Sequence, residues 1–161
     1  MTRFPLAQAA LALAFLSVSG GELLADTCAP EEAFEALVDA IRTNDVDLID
    51  QLVLDSPDAV FFGTDGAERW VGHDAVLAAY GAQLAAFQTT RVDVRDKVVQ
   101  PSPACDAAVF SSVWDWHISA GGQNVVLEAV RLTGALFREG TTWHVAQFHF
   151  SMPVGGQAVA Y

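Results

Sequence analysis

Close to residue 90 the spacing of apolar side chains changes from a helical period to a strand period, and the strand period persists to the end of the chain. Before the change, Phe34, Leu37, Val38 and Ile41 recur at three and four residues, which predicts a helix from Glu31 to Asn44. Glu31, Glu32 and Glu35 crowd its first turns, where the helix dipole favours negative charge. A second short helix is expected over Val46 to Leu54, with Leu48, Ile49, Leu52 and Val53 inward and Pro57 beyond its end. Short strands at Ala59 to Phe62 and around Trp70 and Val71 flank the turn GTDGAE, and a third helix runs from Asp74 to Phe87. Its predicted stripe is Leu77, Tyr80, Leu84 and Phe87. Four strands follow, Arg91 to Gln100, Ala107 to Ser119, Gln123 to Phe137 and Thr142 to Met152. Helices first and then a long meander imply an α+β fold, three N-terminal helices packed on one face of a curved antiparallel sheet.

The 161 residues leave room for one domain and one sizeable core. Part of the 52% hydrophobic content belongs to the first two dozen residues. There Arg3 precedes an apolar stretch from Leu6 to Val18, and small residues with Gly20 and Gly21 follow. That order is that of a secretory signal, and its apolar part is too short for a bilayer, which needs about 20 residues. Residues 1–25 are therefore read as a signal peptide and 26–161 as the domain, with a periplasmic or secreted protein the expectation. Without Glu22 and Arg3 the chain keeps 19 acidic and 7 basic residues, and its net charge stays at −12. Such a surface repels phosphate backbones, so no nucleic-acid partner is expected, and no membrane partner once the signal is removed. Cys28 and Cys105 are the only cysteines. In an exported chain an even pair invites a disulfide, and two buried thiols are the alternative. Closing a loop of that span would stabilise the fold by roughly 4 kcal/mol in the chain-entropy treatment.

Register decides which side chains meet. Gly121 and Gly122 suit a two-residue hairpin turn, which pairs Ala120 with Gln123 and Trp116 with Leu127. Continued without interruption, that register sets Trp114 against Ala129 and Ser112 against Arg131. A three-residue loop at Arg138, Glu139 and Gly140 pairs Arg131 with Gln147 and Ala129 with His149. One sheet face then collects Ser112, Trp114, Trp116, Arg131, Thr133, Trp143, Gln147, His149 and Ser151. An aromatic wall with a few converging polar groups is what a small-molecule site looks like. Asp115, His117 and Glu128 fall on the opposite face and are read as exposed charges; no metal site is assigned.

The run RLTGALFREGTTWHVAQFHFSMPV resembles the end of SnoaL-like domains, in which an Arg-x-Thr strand precedes a tryptophan and a Gln-x-His-x-Ser-x-Pro closing strand. Arg131, Thr133, Trp143, Gln147, His149, Ser151 and Pro153 occupy those positions. The segment FFGTDGAERWVGHDAV resembles the Gly-Thr-Asp turn and Trp-x-Gly helix entry of the same family, at Gly63, Thr64, Asp65, Trp70 and Gly72. The likeness, to the SnoaL-like or nuclear transport factor 2-like superfamily, covers roughly Glu31 to Val154. It implies a cone-shaped fold with a pocket between sheet and helices, often in a homodimer packed through the sheet. It does not settle function, since members include cyclases, isomerases, dehydratases and non-catalytic domains. The tyrosine and two carboxylates of ketosteroid isomerase do not map, because Tyr80 lies on the third helix and no acid sits on the assigned strand face.

For chemistry, His149 is the natural acid-base and Arg131 the holder of a carboxylate or enolate oxygen. Trp70, Trp114 and Trp116 would wall a flat ligand, and Ser112, Gln147, Thr133, Tyr80 and Asp65 complete the ligand-facing set. Asp65 and Glu68, on the turn between the short strands, would orient His149 or carry a proton. Together these suggest cofactor-free proton transfer on a small carbonyl compound. The competing expectation is a binding module or dimeric scaffold without turnover.

Overall fold

The computed structural model describes residues 28–156; the segment read as a signal lies outside them. Three helices come first: α1 (Pro30–Thr43), α2 (Val46–Leu52) and, after two short strands, α3 (His73–Ala86). The strands are β1 (Val60–Phe62), β2 (Arg69–Val71), β3 (Gln88–Pro101), β4 (Ala107–Ala120), β5 (Gln123–Glu139) and β6 (Thr142–Ser151). They form one sheet in the order β2-β1-β6-β5-β4-β3. All pairs are antiparallel except β1 with β6, a parallel contact that the meander reading did not include.

Local chemistry accounts for the helix ends. Pro30 opens α1, where a missing N–H does no harm, and Glu31 and Glu32 follow in the first turn. Asn44 ends it in the left-handed conformation, with φ 55°. Its side chain donates to the Phe87 carbonyl (3.2 Å) and accepts from the Thr89 N–H (3.0 Å), which pins α1 to the start of β3. Asp45 caps α2 by accepting the Leu48 N–H at 2.9 Å. The core lies between these helices and one sheet face, where Phe34, Leu37, Ile41, Phe61, Trp114, Leu132 and Phe148 are fully buried. A disulfide joins Cys28, just before α1, to Cys105 in the β3–β4 turn.

Two bulges, one on β5 and one on β6, set the register among the last three strands, and neither follows from the turns. The β4–β5 hairpin starts as expected, with Ala120 opposite Gln123 and Trp116 opposite Leu127. Between Trp114 and Trp116 the register then shifts, so that Glu128 and Ala129 together oppose Asp115. Ala129 adopts φ 55°, and its N–H is taken by the Asp115 carboxylate at 2.8 Å. From there Trp114 faces Val130 and Ser112 faces Leu132, not Ala129 and Arg131. The last hairpin turns at Gly140 and Thr141, tighter than the expected loop, with Glu139 opposite Thr142. A second shift between Ala135 and Leu136 leaves Ala146 unopposed on β6. Bulges of this kind add twist and bend the strands, which curves the sheet around the helices.

Candidate functional site

The bulges divide the residues that an unbroken register would have gathered. Arg131 lies opposite Ser151 and Val113, Thr133 opposite His149, and Gln147 opposite Ala135. These five polar residues do share a face, but it is the face away from the helices. Arg131, Thr133 and His149 are exposed there, and Gln147 and Ser151 are half-buried. Ser112, Trp114, Trp116 and Trp143 are on the core side and buried. The arginine and the imidazole are thus not brought to the tryptophans, because one extra residue at Ala129 and one at Ala146 each reverse the alternation.

On the core side a cavity of about 80 Å³ opens between α3, the β1–β2 turn and strands β4 to β6. Its aromatic wall is Trp70, Tyr80, Phe87, Trp116 and Phe150, with Ile118 and Leu127 completing the apolar lining. Trp116 is the central ring: Phe87 meets it edge-on at 5.7 Å and Phe150 lies tilted against it at 5.5 Å. Its indole N–H is satisfied by the Thr89 hydroxyl at 3.1 Å, so the ring presents its apolar surface. Trp114 is fully buried, its N–H bonded to Ser112 at 2.7 Å, and neither residue lines the cavity. Trp143 lies elsewhere, beneath the Arg138 guanidinium.

The polar lining comes from the turn and from α3. Glu68, half-buried, accepts the Gln83 amide at 3.1 Å with one oxygen and the Asp65 N–H at 2.9 Å with the other. Gly63 makes this geometry feasible, since a Cβ there would collide with the Glu68 carboxylate. Asp65 itself accepts the Ala67 N–H and shapes the turn; it borders a shallow outer groove with His149, not the cavity. Tyr80 is 3% exposed and packs edge-on against Phe61 and Phe148. Burial, helped by the nearby Glu68 charge, pushes its phenol well above the usual value of 10.0. Among the described residues its hydroxyl has no hydrogen-bond partner.

Gln83 and Phe150 were not anticipated as site residues. Gln83 lies three residues after Tyr80, on the same helix face, and that spacing was the available signal. Phe150 alternates with His149 and was assigned the opposite face by the unbroken register. Asp115, His117 and Glu128 do not form one cluster. Asp115 is taken by Ala129 and by Arg95 (3.3 Å), which together hold its carboxyl below the usual range. His117 lies 3.4 Å from Asp93 and Glu128 is exposed.

Helices covering one face of a curved six-stranded sheet, with an aromatic cavity between them, define the nuclear transport factor 2-like class. The SnoaL-like domain family matches residues 31–155, and the chain belongs to it. No curated protein matches the sequence significantly. Similar solved structures include a ketosteroid isomerase-like protein from Erwinia carotovora atroseptica, with TM-score 0.68, 20% identity, and coverage of 80% of this chain and 97% of that one. A nuclear transport factor 2-like superfamily protein from Salmonella enterica gives TM-score 0.66 at 20% identity, covering 81% and 93%. A nuclear transport factor 2-like protein of unknown function in nutrient uptake from Rhodospirillum rubrum gives 0.64 at 23%, covering 78% and 98%. At these identities the likeness speaks to fold alone.

Proposed function

We propose that the protein is an exported small-molecule-binding module whose ligand sits against Trp70, Tyr80 and Trp116. The observation that carries this reading is the cavity itself, a space lined by five aromatic residues and one acidic side chain. Its size suits a compact ligand or a head group, well below the roughly 300 Å³ at which drug-sized pockets begin. Arg131 and His149 take no part in it. A fragment screen followed by calorimetry tests this: Trp116→Leu is expected to abolish binding, and His149→Gln to leave it within twofold. Binding that survives the first change and is lost in the second would contradict the reading.

The Glu68 and Tyr80 pair favours a second reading, proton transfer on a small carbonyl compound. Tyr80 would donate to the carbonyl oxygen and Glu68 would take the α-proton. Deuterium exchange into a bound ketone, lost in Glu68→Gln, is its signature; no exchange above the buffer rate would rule it out. The disulfide supports a location outside the reducing cytoplasm. Val109 (57% exposed) and Phe137 (48%) leave the outer sheet face apolar enough for a second copy to pack there, as the family resemblance implies.

A further inference from the structure

The cavity's charge and its walls point the same way. Its lining holds one carboxylate side chain, Glu68, and no lysine, arginine or histidine among the described residues. That carboxylate is fixed in place by the Gln83 amide and the Asp65 N–H, one on each oxygen. A neutral or anionic ligand would dehydrate this charge without compensating it. The rings of Trp70, Tyr80, Phe87, Trp116 and Phe150 make most of the rest of the wall aromatic. A methylated ammonium has no N–H donors to satisfy and is attracted to ring faces, of which this wall has five candidates. Burial keeps Tyr80 neutral, so the phenol adds a dipole and not a second charge. The chain's net charge of −12 raises the local concentration of any cation.

We infer that the cavity takes the methylated ammonium head of a small organic cation, seated on Trp116 and balanced by Glu68. The inference rests on the cavity being a ligand pocket and names the class of ligand. Calorimetric titration with choline and with its neutral isostere 3,3-dimethyl-1-butanol tests it on the full-length protein. Choline is expected to bind about tenfold tighter than the isostere. Glu68→Gln should remove that preference while leaving the isostere's affinity unchanged, and Trp116→Leu should weaken both. Equal affinities, or a preference for the neutral compound, overturn the cation assignment but leave the pocket standing. If neither compound binds, and neutral aromatic fragments also leave the indole signals of Trp70 and Trp116 unmoved, the pocket reading falls with it.

Discussion

Ala129 carries a disproportionate share of this protein's architecture. Holding an alanine at φ 55° costs about 1 kcal/mol, and the Asp115 carboxylate on its N–H offsets that. Ala129→Gly should therefore stabilise the fold by up to about 1 kcal/mol, and Ala129→Val should destabilise it, as read from denaturant midpoints. Nothing in Glu128-Ala129-Val130 announces a bulge, because alanine is not a residue that seeks the left-handed region. Sequence periodicity runs straight through it, and that is why Arg131 was expected beside the tryptophans. Tyr80 gives a pH prediction. Its folded-state pKa is raised, so the unfolded chain loses this proton first. Stability is complete below about pH 10 and falls as pH climbs from there towards the folded value. Chemical unfolding between about pH 9 and pH 11 should show a shallower decline in Tyr80→Phe than in the native protein.

At the scale of elements the helices and strands were legible to within a few residues, because their periods differ and their ends carry proline, asparagine or glycine. Pairing of β4 with β5 was legible only from the Gly121-Gly122 turn to Trp116, and the β1–β6 contact not at all, since parallel neighbours leave no turn between them. Close approach of β4, β5 and β6 depends on Gly134. A Cβ there would collide with the Phe110 ring and the Gln147 carbonyl. Gly134→Ala is expected to destabilise by about 1–3 kcal/mol, measured by urea denaturation. The Cys28–Cys105 bond ties the head of α1 to the β3–β4 turn across 77 residues of chain. A Cys28→Ser, Cys105→Ser double variant should lose up to about 4 kcal/mol in the same measurement, with its cavity intact.

For the molecule as a whole, the sheet separates two surfaces that the closing sequence motif mixes together. The helix side holds the aromatic cavity; the outer side holds Arg131, Thr133, His149 and Ser151 with the exposed Val109 and Phe137. Tryptophan, tyrosine and glutamate could be read from the sequence as site material, but which of them meet depends on where two extra residues are inserted. The four indole N–H groups allow that separation to be observed directly in a nitrogen–proton correlation spectrum during ligand titration. Binding in the cavity predicts that the Trp70 and Trp116 signals move together while that of Trp143, which does not line the cavity, stays fixed. Movement confined to the histidine and arginine resonances of His149 and Arg131, with Trp70 and Trp116 unchanged, would contradict the account.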